Sequence, residues 1–353
     1  MWLFLLACTS GPNDSVGDSA ATPAGFDGAV IAVQGDSALG FLGADGTLVG
    51  TLDLATEAGS WMVHNVQITP DGQTVVATAM APMATMDTGS AAVVPDELVM
   101  VDIATESVVR RCEFTTGAGV AHVVTDGVTA WVTGYNVNLV YVVDLGTCGI
   151  AGEWPLPAGT GPHGIRRAAP DDPLGDGFYV AGMADGSLHR LDMNGNDTAW
   201  DLPGAAVQVA VLPDGSAVLV TLLDTVQIAW LDTATGTVAA YNLPEGAAGP
   251  AQIYPSPDSR SVWVADQGPA GGIAGHELFQ LEAATGAGLA RVVVNDAPHG
   301  VVVSRDGQTV WTTTLTLGTV DRVDVGSLSV VSSTMVGNAP NGISLSDVDG
   351  ARP

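Results

Sequence analysis

One unit recurs six times along this chain, and that repetition limits the folds open to it more than any other feature. Each copy has a short apolar strand, a turn carrying Asp, and a second β-rich strand with an aromatic near its start or end. The first copy is HNVQITPDGQTVVAT from His64, and a later one is HGVVVSRDGQTVWTTT from His299. The turn acids Asp71, Asp126, Asp171, Asp214, Asp258 and Asp306 lie 43 to 55 residues apart. Each copy continues into a second hairpin whose first strand ends in an acid, as in Val101-Asp102, Val143-Asp144, Leu191-Asp192, Leu231-Asp232, Leu281-Glu282 and Val323-Asp324. Apolar alternation bounded by Asp-Gly or Gly is the signature of hairpins. Four strands in roughly 40–50 residues is the period of a β-propeller blade.

The two ends of the repeat are incomplete in complementary ways. Near Gly28, Ala38 and Thr47 there are three strands with no first strand before them, and Pro340-Asn341-Gly342-Ile343 begins a first strand with nothing after it. One C-terminal strand and three N-terminal strands complete a blade, close a ring and remove two sheet edges. The expectation is an all-β, seven-bladed propeller with four antiparallel strands per blade, one domain over residues 28–350.

The aromatic-strand strings Trp131-Val132-Thr133-Gly134, Tyr179-Val180-Ala181-Gly182 and Trp263-Val264-Ala265-Asp266 carry a family likeness. So do the hairpin Asp232-Thr233-Ala234-Thr235-Gly236 and the run from Pro298-His299-Gly300 to Asp306-Gly307. The pattern resembles the YVTN-type seven-bladed propeller repeat over about residues 28–350. The resemblance implies the fold and leaves the chemistry open, because propellers host many functions.

Composition narrows the function. Acids outnumber bases 38 to 10, for a formal net charge of −28. All ten bases are Arg, so a P-loop lysine and a Schiff-base lysine are excluded, and nucleic-acid partners lack the cations they need. The chain opens Met1-Trp2-Leu3-Phe4-Leu5-Leu6-Ala7-Cys8, too short an apolar run to span a membrane. Leu5-Leu6-Ala7-Cys8 resembles a bacterial lipobox, which implies lipidation at Cys8. Residues 9–27 are small, polar and acidic, and read as a tether. The expected placement is therefore exported: an outer-membrane or cell-surface lipoprotein or a periplasmic protein, a monomer touching membrane only through its anchor. Cys112 and Cys148 are a possible disulfide in such a compartment.

Inner strands of a propeller line its channel, so the residues opening them meet at one mouth. Reading round the ring gives His64, His122, His163, Gln252, His299 and Asn341 as candidate binding residues. Neutral imidazole is a common metal ligand, so His64, His163 and His299 are candidates for a divalent cation. The plainer alternative is that each ring hydrogen-bonds backbone at its own turn. Met80, Met83 and Met86 on a Pro-containing loop offer thioethers to Cu(I), or else apolar cover for the mouth. The glycine-rich run from Asp266 to Glu277 is either a binding loop or a connector. His189 is expected to be exposed on an outer hairpin, Asp171-Asp172 to sit in a solvated turn, and no spacing pairs a Ser with a His. Three functions remain open: a scaffold binding a protein or small molecule, a metal-dependent enzyme of the lactonase or lyase kind that similar propellers exemplify, and copper handling.

Overall fold

The alternating apolar runs become 28 strands, and the one helical element among the described residues is a single 3-10 turn, Gln34–Asp36. The computed structural model describes residues 26–57, 59–81, 94–269 and 272–348. The lipobox with Cys8, most of the tether, and Met83 and Met86 lie outside the described residues.

The strands form seven four-stranded antiparallel sheets. Blades 1 to 6 comprise residues 62–113, 120–155, 162–201, 206–242, 250–293 and 298–335, each a meander from inner to outer strand. Blade 7 joins Pro340–Leu345 to Gly28–Val33, Ala38–Gly43 and Leu48–Asp53. One C-terminal and three N-terminal strands thus close the ring, with Ile31 paired to Ile343.

Apolar side chains of the middle strands pack between blades. Trp263, Tyr179, Phe41, Phe178 and Phe279 are fully buried there. Each such side chain stabilises the ring by roughly 1.5–3 kcal/mol relative to exposure. The hairpin acids do what turn chemistry predicts: Asp102 accepts from the Thr105 N–H at 2.8 Å, and Asp232 from the Thr235 N–H at 2.7 Å. Their carboxyls are held below the usual range chiefly by the Thr105 and Thr235 side-chain hydrogen bonds.

Every inner strand carries a register shift near its start, between Pro162 and Ile165, Val120 and Val123, Ala206 and Val209, and likewise in the other four blades. Such a bulge leaves residues outside the ladder and re-aims side chains. A threonine of the neighbouring strand repairs it. Thr133 accepts the His122 N–H at 2.9 Å and donates to the His163 carbonyl of the next blade at 2.8 Å. Thr78, Thr221 and Thr313 make the same clasp in blades 1, 4 and 6. The Thr/Ala position of the repeated aromatic strand is this clasp; Ala181, Ala265 and Ala32 occupy it elsewhere. Inner strands run so close together that glycine is needed. A Cβ on Gly164 would lie 2.7 Å from the Val207 carbonyl oxygen, and one on Gly342 would lie 2.9 Å from that of His64.

Cys112 and Cys148 form a disulfide between blades 1 and 2, their Cα atoms 5.1 Å apart. Three local expectations are corrected. His189 is buried: its Nδ1 lies 2.9 Å from Asp197 and its Nε2 2.8 Å from Ser187, so a Ser and a His do pair. The period-2 alternation of Ser187–Asp192 turns both residues to one face, which the acid-rich outer hairpin concealed. Ser187 also shares its hydroxyl proton with Asp185 at 2.5 Å and is itself buried, an arrangement that satisfies polar groups inside the blade. Asp172 is buried as well, accepting the Tyr179 hydroxyl at 2.8 Å and the Leu174 N–H at 2.8 Å. It, and not Asp171, caps that turn.

Replacing Thr133 with Val keeps the shape and removes both clasp bonds, leaving the buried His122 N–H and His163 carbonyl without that hydroxyl. The expected loss is about 2–4 kcal/mol in urea unfolding, against under 1 kcal/mol for exposed Thr198→Val.

Candidate metal centre

The bulge decides which side chains meet on the axis. Aligned on the bulge, the second and third residues of six inner strands are Ala121-His122, His163-Gly164, Val207-Gln208, Ala251-Gln252, His299-Gly300 and Asn341-Gly342, and their counterparts in blade 1 are His64-Asn65, third and fourth in Met62–Ile68. Six blades give one polar side chain beside a small or apolar residue, and blade 1 gives two.

Blades 1, 2 and 3 are adjacent, and their imidazoles converge. One nitrogen from each of His64, His122 and His163 lies within 4.8 Å of the others. The Nε2 atoms of His64 and His163 are 3.3 Å apart. Two nitrogens bound at zinc distances to one tetrahedral ion stand about 3.3–3.4 Å apart. His122 and His163 have ring centroids 4.6 Å apart, and His64 and His122 5.3 Å.

Hydrogen bonding prepares these rings. His163 Nδ1 donates to the Val207 carbonyl at 2.9 Å, so a neutral His163 turns an Nε2 lone pair to the axis. His64 Nδ1 and His122 Nε2 are buried without a hydrogen-bond partner in the protein. Burial holds the pKa of His64 and of His122 well below the ordinary value, with repulsion from His163 adding to it. Burial also lowers His163, against the opposing effect of its bond to Val207. Such rings are neutral at neutral pH, the state a metal ligand requires. Among the described residues no Cys, Asp or Glu joins the three within ligand reach.

The expected ligand set and the geometry differ by one residue. His299 belongs to blade 6, and its ring lies 6.4 Å from that of His64, outside the trio. Burial, with repulsion from His163, lowers it to about 4. His122 takes the third place because the bulge aims third-position side chains at the axis too. The alternation of polar-Gly with apolar-polar pairs carried that signal in the sequence. Gln252 and Asn341 occupy the same layer; Asn341 donates to Gln34 Oε1 at 2.7 Å. Met80 ends its strand half-buried, paired with Met62. The glycine-rich run is pinned at its start, where the buried Asp266 accepts from the Gly249 N–H at 2.6 Å. A groove of about 350 Å³ opens beside the mouth, lined by Gln34, Asp36, Asp53, Trp61 and Met62 among others.

No protein-family model and no curated protein matches the sequence. Solved structures do. Virginiamycin B lyase from Staphylococcus aureus is similar at 16% identity and TM-score 0.64, over 81% of this chain and 92% of that one. A putative 6-phosphogluconolactonase from Bacteroides uniformis is similar at 13% and 0.65, over 90% and 98%. Hydrazine synthase of Kuenenia stuttgartiensis is similar at 19% and 0.65, over 82% and 90%. At these identities the likeness is one of fold.

The buried imidazoles make stability depend on pH with a defined sign. His299 titrates near 6.5 when unfolded and about 4 when folded, so the unfolded chain binds its proton first. Its share of stability is complete above pH 6.5 and is lost as pH falls toward 4, by about 3 kcal/mol. Urea unfolding of EDTA-treated protein should therefore weaken steeply over that range, and less steeply in His299→Gln. Equal slopes in the two proteins would refute the assignment.

Proposed function

We propose that this protein is a ligand-binding propeller whose channel mouth holds a divalent transition-metal ion on His64, His122 and His163. The observation that carries the reading is the convergence of three neutral imidazoles from three blades, two of which bury a ring nitrogen without a protein partner. Nitrogen donors suit Zn(II), Cu(II) and Ni(II) and disfavour Ca(II) and Mg(II). Three protein ligands leave a fourth position open toward solvent, where an oxygen or nitrogen of a ligand lying in the adjoining groove would bind. The net charge of −28 raises the local concentration of cations at the mouth.

A bound ion would polarise a carbonyl or acidify a water, which is chemistry that a lyase or a lactonase could use. That is the second reading, and the open fourth position is what favours it. No carboxylate stands with the imidazoles among the described residues to act as a base, so binding comes first. The exported, lipid-anchored placement belongs to the same proposal, and the Cys112–Cys148 disulfide supports an oxidising compartment.

Thermal unfolding with added ions tests this. Zn(II), Cu(II) or Ni(II) at a hundredfold excess over Kd should stabilise the protein by about 2.7 kcal/mol, and Ca(II) and Mg(II) should not. His163→Gln should weaken binding at least tenfold, and Met80→Leu should leave it unchanged. A shift abolished by Met80→Leu would move the site to the methionine loop. No shift with any ion would end the metal reading.

A further inference from the structure

Arg166 is the unusual cation of this protein. It is the fifth residue of the inner strand Pro162–Arg167, three past His163, and is 7% exposed. Arg190 and Arg322 also bury an Nε without a hydrogen-bond partner, but neither lines this part of the channel, and several guanidinium groups meet carboxylates. Arg111 meets Glu97 at 2.6 Å, Arg167 meets Asp176 at 2.5 Å, and Arg291 meets Glu277 at 3.3 Å. The buried Arg190 donates to two backbone carbonyls and lies over the Tyr179 ring. Arg166 donates to one carbonyl, that of its own neighbour Ile165 at 2.9 Å, and its Nε is buried without a partner in the protein.

The group lines a cavity of about 20 Å³ in the channel, together with Asn65, Gln67, Tyr254 and Ser344. No carboxylate lines it. Three of the polar neighbours already accept backbone N–H groups. Asn65 Oδ1 takes the Val123 N–H, Gln67 Oε1 takes the Thr125 N–H, and Ser344 Oγ takes the Ile68 N–H. Asn65 has N–H groups left to offer, and Ser344 keeps its hydroxyl proton. A buried cation thus faces a small cavity that has polar hydrogens to offer and no carboxylate in its lining.

We propose that Arg166 forms, with Asn65 and Ser344, a site for a small monovalent anion of the halide class inside the channel, one layer beneath the imidazoles. A halide is of the size such a small cavity admits. The site stands whether or not the imidazoles hold a metal, so it is tested on EDTA-treated protein.

Unfolding midpoints are compared in sodium chloride, sodium bromide and sodium gluconate at one ionic strength, gluconate being too large to enter. Chloride and bromide should raise the wild-type midpoint by about 2–4 °C over gluconate. Arg166→Met should lose that difference, and Arg190→Met should keep it if folded. Crystals of the wild type grown in bromide should show an anomalous peak within hydrogen-bonding distance of the Arg166 guanidinium, a readout that holds even if Arg166→Met does not fold. Equal midpoints in the three salts, or a bromide-soaked crystal with no peak at Arg166, would overturn the proposal. A halide shift that survives in Arg166→Met would do the same.

Discussion

The bulge at the start of each inner strand, clasped by threonine in four blades, is the constraint on which the rest depends. A propeller blade presents the bare edge of its inner strand to the channel, and an unpaired backbone there would be costly. The bulge lifts two residues out of the ladder in six blades and His64 alone in blade 1. Thr78, Thr133, Thr221 and Thr313 then take up the freed N–H and pass a hydrogen bond to the next blade. One hydroxyl thus joins two blades and fixes where the channel side chains point. The glycines beside His163, His299 and Asn341 follow from the same crowding.

A nearly seven-fold scaffold carries an asymmetric channel. Side chains of the same register position are histidine in some blades and glutamine, asparagine, valine or alanine in others, so function resides in one residue choice repeated around the ring. Three adjacent blades hold imidazoles at converging positions, and the opposite side holds His299 and amides. Low dielectric then acts on everything inside. It keeps the imidazoles neutral at neutral pH and leaves Arg166 as a buried positive charge in a protein of net charge −28. The proposed metal and anion sites both follow from one enclosed axis.

The blades were legible because their signals are local. Alternation, Asp-Gly turns and capped hairpin acids each act within a few residues, and a blade contacts chiefly its neighbours. The complementary remnants at Gly28 and Pro340 even showed how the ring closes. His64, His163 and His299 were legible as a set because they share one repeat position. The burial of His189 and Asp172 was not. Strand pairing brings Asp197 to His189, a shared strand face brings Ser187, and the turn before Gly177–Gly182 folds Asp172 onto Tyr179, while the flanking residues look like ordinary polar turns. Arg166 was equally hidden, since nothing local in Arg166-Arg167 distinguishes the side chain sent into the channel from the one sent to Asp176.

By itself the sequence determined the number of blades, the order of their strands and the way the ends meet. Those follow from turn chemistry and strand periodicity, which work at short range. Only the tertiary structure decided which histidines share a site and which arginine is buried in the channel. His64, His122 and His163 come from separate blades, up to 99 residues apart, and a one-residue difference in register, set by the bulge, determines which ring points to the axis.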